Sequence, residues 1–274
     1  MTSTIEQQPE LLETGWEPTT PIADTMLRRF VFNHSDSIDA VVKAAGGRTL
    51  WTDDFAAADL GRPAAIYNSA TLLRPLGPAN EGTVLDSVEQ FYRRGSGDVW
   101  LWSPWPTPDL TARGWNLMGH PPLLLRPAQL APPNVPPAPV RVVTDAADLR
   151  EWERVIAFGF PFDDVVPNLP GAFAHEQILN DDRFTMWLAY QGDRPVTAAA
   201  MFREHGLAQF AFGVTLPDVR RRGHWAAMVR LRLQAAGALP AAGIFSDDSR
   251  LGAERYGFLP LTRFTLWSRH RSSR

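Results

Sequence analysis

The chain has no cysteine, a single lysine and no long apolar run, and each scarcity narrows what it can be. Without cysteine there can be no disulfide and no thiolate metal site, a composition that fits a reducing, cytoplasmic setting. The six histidines are scattered, with no His-Glu-x-x-His spacing, so no metal is expected. No stretch approaches the roughly eighteen apolar residues of a membrane span, and the opening Met1-Thr2-Ser3-Thr4-Ile5-Glu6 lacks the basic and apolar regions of a secretion signal. A membrane partner is therefore not expected. Lys43 is the lone lysine, which reads as genomic bias toward arginine. A net charge of -3 and a pI near 6.1 argue against nucleic acid, which calls for a broad basic face.

What is present is a chain of 274 residues, 45% hydrophobic, enough for one large core or two ordinary ones. The stretch from Pro127 to Pro139 (PAQLAPPNVPPAP) cuts it almost in half. Proline at that density forbids helix interiors and sheet centres and leaves an extended, semi-stiff linker. The division expected is a polar, poorly ordered 1–24, a domain over 25–126, the linker 127–139, a second domain over 140–268 and a tail at 269–274.

In the second half the pattern reads as a strand at 140–144, then a helix entered at Thr144-Asp145 with Ala147, Leu149, Trp152, Val155 and Ile156 on its apolar side. A loop at 159–170 and a helix at 171–180 follow. Strands come next at Thr185–Tyr190, Val196–Arg203 and Leu207–Thr215, joined by hairpins at Gly192-Asp193 and His205-Gly206. A long helix from about 221, a strand at Ala242–Phe245, a short helix at 249–256 and a strand at 262–268 complete it.

Between the third of those hairpin strands and the long helix lies VTLPDVRRRGHWAAMVRLRL, with three consecutive arginines and Gly223. Pro217-Asp218 makes the turn, and the arginines and glycine open the helix. A helix start offers unpaired N–H groups and the positive end of the dipole, which suit a phosphate, and glycine allows close approach. A solvated arginine cluster is the alternative. A nucleotide P-loop is excluded, because no Gly-Lys-Ser/Thr follows the strand.

That element order, together with Arg220, Gly223 and Trp225 at the positions of an Arg-x-x-Gly-x-Gly/Ala turn, resembles the GNAT superfamily of N-acetyltransferases. Val214 and Pro217 precede the turn as in the family's Val-x-Pro, one residue further apart, and Gly257-Phe258 matches its helix-to-strand "GF" turn. The resemblance covers about 140–268. It implies an α/β (α+β) fold with a mixed, mostly antiparallel sheet flanked by helices, and acetyl-CoA as co-substrate. By resemblance the pyrophosphate lies on the backbone of Arg222, Gly223, His224, Trp225 and Ala226, beside Arg220. Phe212, Val214 and Thr215 would run along the pantetheine, with the Val214 amide as the oxyanion donor.

There are two departures. Trp225 replaces a small residue, so its indole must point away from the phosphates. The tyrosine that many members use as acid to the leaving thiolate would fall at Ala253, with Tyr256 packing instead; Ser246 could reach the sulfur in its place.

The first half repeats part of this order: a strand at Ala64–Leu73, a helix at Thr83–Arg94, a strand at Val99–Trp102, a helix at Thr107–Arg113 capped by Thr107, and a strand at Leu123–Leu125. Gly114-Trp115 stands where Gly257-Phe258 does. Arg74-Pro75-Leu76-Gly77-Pro78 has no Arg-x-x-Gly, so this half resembles a degenerate GNAT-like repeat that does not hold coenzyme A. An unrelated α/β accessory domain is the other reading. In Trp100-Leu101-Trp102, alternation buries Leu101 on one face and sets the tryptophans on the other, as a stacking wall or as interdomain packing.

The reaction implied is attack of a neutral amine on an acetyl thioester, which needs a base because a free alkylammonium is nearly all protonated at pH 7. Asp163 and Asp164, in the loop between the first two helices of the second half, and Glu176 on the second are candidates to hold a cationic acceptor. Asp247 and Asp248 are placed to cap a helix. The acceptor expected is a primary amine of a small molecule or peptide, a cationic antibiotic among the options, and the protein a monomer or homodimer. A non-catalytic acyl-CoA-binding or regulatory protein, or a protein lysine acetyltransferase, are the alternatives.

Overall fold

A computed structural model describes residues 15–128, 139–160 and 165–271. Two sheets carry the chain. The first has six strands in the order β1 (Arg48–Trp51), β2 (Phe55–Asp59), β3 (Ser69–Leu72), β4 (Gly97–Ser103), β13 (Thr265–Arg271), β5 (Asn116–Gly119). The second has seven, in the order β12 (Leu259–Arg263), β6 (Pro122–Arg126), β11 (Ala241–Ile244), β10 (Leu207–Thr215), β9 (Arg194–Glu204), β8 (Phe184–Gln191), β7 (Val140–Val142). Both are mixed and mostly antiparallel, with one parallel pair each: β3 with β4, and β10 with β11.

The sheets exchange strands. β6, from before the proline stretch, lies between β11 and β12, while β13, the last strand, lies between β4 and β5. The boundary placed at 127–139 from the sequence is therefore not the boundary between sheets. Most of the linker, 129–138, lies outside the described residues, as do 1–14 and 272–274. At the far end of β13, Arg271 is almost wholly buried and bonds Asp59 at 3.1 Å and the carbonyl of Ser96 at 2.8 Å.

Helix α1 (Met26–Ala44), which the sequence reading passed over, is capped by Thr25, whose hydroxyl accepts the Arg28 amide at 3.1 Å. It is a wedge between the sheets. Ile38, Val41 and Val42 join one core, and Phe30 and Val31 join another that includes Trp102, Leu207 and Phe264. Asn33 donates to the carbonyl of Glu204 at 2.8 Å, and Asp36 meets His205 at 2.5 Å. Trp100 and Trp102 face this wedge and Leu101 the opposite core, so the tryptophans are packing between the halves.

Helices α2 (Glu81–Phe91), α3 (Ala146–Gly159), α4 (His224–Ala236) and α5 (Asp247–Glu254) cover the sheets. Asp145 caps α3 by accepting the Ala147 and Asp148 amides at 2.8 and 2.9 Å. The helix expected over 171–180 is reduced to a 3-10 segment at Glu176–Asn180. The amides of Gly171, Phe173 and Ala174 are taken by the buried Glu153 carboxylate, each at 2.7 Å, and cannot enter a helix ladder. The expected strand at 262–268 breaks at Phe264 into β12 and β13. Thr107 accepts from the Trp267 indole at 2.8 Å instead of capping, and only Thr111–Arg113 is helical there.

Candidate functional site

The site is built where β10 leaves its neighbour. β10 and β11 pair at two positions, Ala208 with Ala241 and Gln209 with Ala242; Gly243 still lies against Phe210, where a Cβ would stand 2.8 Å from its carbonyl, and no pairing is made beyond it among the described residues. On its other edge β10 bulges: Ala211 pairs with Ala200, and the next partner is Val214 with Ala198. Within the bulge Phe212 adopts a left-handed φ of 52°. For a bulky side chain this costs about 1–3 kcal/mol. Its ring is held by Phe173, Trp152 and Tyr67, with centroids 5.2, 5.7 and 6.1 Å away, and aromatic pairs worth about 0.5–1.5 kcal/mol each offset the strain.

Register decides which amide faces the gap. In an antiparallel pair the hydrogen-bonded positions alternate. The Leu216 amide donates to Val196 at 2.9 Å, so Val214, two residues back, also turns its N–H toward β9. The amide expected at the oxyanion, that of Val214, thus points into the sheet. Phe212 and Gly213 make the bulge, opposite the one residue between Ala198 and Ala200. The Gly213 carbonyl accepts the Trp225 indole N–H at 3.1 Å. Nothing in the residues of β10 themselves signals the bulge.

Past β10, Thr215 is buried with its hydroxyl 2.9 Å from that of Thr197. The chain then turns through Pro217–Val219 to α4. Arg220 reaches back, donating to the carbonyls of Thr215 at 3.0 Å and Gly159 at 2.8 Å. It fixes the turn to the ends of β10 and α3, while Arg221 and Arg222 are exposed. Gly223, φ 86°, is the N-cap of α4, and no side chain caps the helix. Apart from its two chain neighbours, no atom of the described residues lies within 4 Å of where a Cβ on Gly223 would stand. The result is an open helix N-terminus over His224, Trp225 and Ala226, flanked by guanidinium groups, which is a setting for a phosphate.

The indole of Trp225 does point away from that open end. It reaches from Gly213 to α5, where a Cβ on Gly252 would stand 2.9 Å from the ring. Behind the bulge lies Arg232 of α4, fully buried, with its guanidinium carbon 4.4 Å from the centre of the Phe210 ring.

On the other face, Tyr67 comes from the first half of the chain and packs on Phe173 at 5.2 Å. Burial, with the Glu153 carboxylate nearby, pushes its phenol well above the usual range, so it stays protonated. Arg62, also from the first half, hydrogen-bonds the carbonyl of Gly171. Both halves therefore meet over the bulge.

Ser246 is the N-cap of α5, accepting from the Ser249 amide at 3.2 Å in a capping box. The hydroxyl expected at the sulfur is engaged in this cap, and the capping role expected of Asp247 and Asp248 belongs to Ser246. Asp247 pairs instead with Arg263 at 2.6 Å. Glu176 is exposed in the first turn of its 3-10 segment, with His175 as cap. Asp163 and Asp164 lie outside the described residues. Ala253 is fully buried, and the Tyr256 hydroxyl accepts from Arg230 at 2.8 Å.

The corresponding region of the first sheet has no such opening. β3 and β4 pair in parallel at Ser69, Ala70 and Thr71, three of the four residues of β3. The helix between them starts with Glu81, whose charge opposes an anion. Among the described residues there is no group of acidic, histidine or cysteine side chains able to hold a metal, and no helix long and apolar enough to cross a membrane.

No family model and no curated protein sequence matches the chain. Solved structures do match. A GCN5-related N-acetyltransferase from Kribbella flavida aligns over 86% of this chain and 95% of its own, with 19% identity and a TM-score of 0.58. An acetyltransferase described as of the GNAT family, from Novosphingobium aromaticivorans, aligns over 85% and 97%, at 15% identity and a TM-score of 0.56. A conserved protein of unknown function from Staphylococcus epidermidis gives 82% and 95%, 14% identity and 0.58. The fold is that of the GNAT acetyltransferases. It is carried here on two sheets that share strands.

Proposed function

We propose that the protein is an acetyl-CoA-dependent N-acetyltransferase with its reaction centre at the β10 bulge, acting on a primary amine of a small molecule or peptide. The observation that carries this is the coincidence of three features along one short stretch of chain: a strand whose pairing with its parallel neighbour ends, a bulge at Phe212-Gly213, and the open N-terminus of α4 at Gly223. A nucleotide thioester needs all three.

In this reading the amides of residues 223–226 and the Arg222 guanidinium take the pyrophosphate. The edge of β10 from Ala211 to Thr215 lines the pantetheine, and the Gly213 N–H meets the thioester oxygen as it gains charge. The amine approaches from the face where Tyr67 and the segment after α3 meet, drawn by Asp163, Asp164 and Glu176. The location is cytoplasmic, and a cationic antibiotic or a protein lysine fits the same chemistry.

The contact of Trp225 with Gly213 and the buried Ala253 favour a second reading, a non-catalytic protein that binds acyl-CoA. Release of free thiol from acetyl-CoA with a panel of amines separates the two. Amine-dependent release is expected; binding of acetyl-CoA without release for any amine would favour the second reading. With an accepted amine, replacing Asp163 and Asp164 together by Asn is expected to lower kcat/KM at least tenfold, as loss of a partly desolvated charge-assisted bond of about 1.5–3 kcal/mol requires. Affinity for coenzyme A should not change.

A further inference from the structure

Arg232 is a cation with no counter-charge. It is 2% exposed, and no acidic group among the described residues acts on it. Nη1 donates to the carbonyls of Ala200 and Ala211 at 3.4 and 3.3 Å, bonds at the long end of the range, and Nε has no partner among the described residues. The other arm, Nη2, runs alongside Gly213: a Cβ on that glycine would be 2.6 Å from it. Gly213 thus lacks a side chain where the guanidinium passes, and the charge sits directly behind the bulge.

Such an arrangement is costly for stability. Burial alone pushes the guanidinium down to about 9. A hydrocarbon of similar volume would fill the space between α4 and β10 with no charge to desolvate. The Phe210 ring at 4.4 Å and two long bonds are the compensation present, and anionic chemistry at the bulge supplies a further reason for the charge.

We propose that Arg232 is a catalytic residue that stabilises the departing thiolate through Nη2, in place of a proton donor. The proposal rests on the reading of the divergence as a thioester site. The amine nitrogen forms the C–N bond, and the carbonyl electron pair moves to oxygen. Collapse restores C=O and breaks C–S, and the sulfur leaves with the bonding pair as a thiolate beside the guanidinium. The proton lost by the amine passes to water, and the thiolate takes one from water after release. Arg232 keeps its own protons throughout.

The test is a titration of coenzyme A bound to the full-length protein, following thiolate by difference absorbance as pH rises. An opposite charge within about 4–6 Å lowers an acid by about 1–3 units, so bound coenzyme A should hold at least ~10-fold more thiolate than free coenzyme A at the same pH. Arg232→Met should abolish the excess and lower kcat with KM for acetyl-CoA unchanged, while Arg232→Lys should keep most of it. A bound thiol that titrates like the free one in the wild type overturns the proposal even if the Met variant does not fold. Equal titration in wild type and a folded Met variant overturns it too. No binding of coenzyme A by the wild type would remove the thioester site itself, and this role with it.

Discussion

The indole N–H of Trp225 is hydrogen-bonded to the carbonyl of Gly213 at 3.1 Å, and this bond closes the gap between the bulged strand and α5. It occupies one of the peptide groups that β10 turns toward its missing neighbour. A pantetheine chain entering there must displace the indole, at a cost near the net value of one hydrogen bond, about 0.5–1.5 kcal/mol. Trp225→Ala is therefore expected to tighten coenzyme A binding by roughly 2- to 10-fold in calorimetry. Weaker binding would show that the indole is part of the ligand's wall and not in its way.

The turn itself gives a second expectation. A valine at position 223 would carry its side chain into the open space before α4, where the anion is proposed to sit, and would be strained at φ 86°. No protein atom is near enough to clash, so the rest of the fold should persist. Gly223→Val should abolish coenzyme A binding while leaving the far-ultraviolet circular dichroism unchanged. Equal affinity in both proteins would remove the anion site from α4.

Stoichiometry follows from comparing the sheets. β3 and β4 stay paired, and Glu81 leads the helix between them, so the first sheet has neither the gap nor the charge for a nucleotide. One coenzyme A per chain is expected by calorimetry. Two equivalent sites per chain would refute the reading of the first half as a degenerate repeat.

A fourth expectation concerns acid. His34 of α1 is buried among Phe30, Trp102 and Phe264, near Gln209, with Nε2 unpartnered among the described residues. Burial holds its imidazole down at about 4, from an ordinary value of 6.5. The unfolded chain takes up this proton more readily, so the stability from the neutral ring is complete above about pH 6.5. It is lost as pH falls toward 4, by about 3 kcal/mol in all. Denaturant midpoints measured from pH 7 to 4 should drop less steeply for His34→Phe than for the wild type. Parallel curves would assign the acid sensitivity to other groups.

Much of this was legible in the residues, for identifiable reasons. The hairpins of the second half carry Gly192 and Gly206 at positive φ, the capping residue of α3 is an aspartate, and the Arg-x-x-Gly turn opens a helix. Local chemistry determines each of these. What local chemistry does not determine was missed. PLLLR and TLWSRHR are plain strand sequences, but nothing within them says which sheet they complete. α1 mixes Asn33, His34, Ser35 and Ser37 into its buried surface because it faces backbone and polar groups of two sheets, so its apolar stripe is broken. The bulge between Ala211 and Val214 is a matter of pairing count, invisible until β9 is beside β10.

The strand exchange sets an order on the birth of the molecule. When the ribosome has made the first 126 residues, β4 and β5 have no β13 between them, and β6 has neither β11 nor β12 to join. The first sheet can be completed only after Thr265–Arg271 has emerged, when Arg271 can reach Asp59 across 212 residues of chain. Neither half is a finished object while it waits for the other. The nascent chain must carry unpaired strand edges for most of its synthesis.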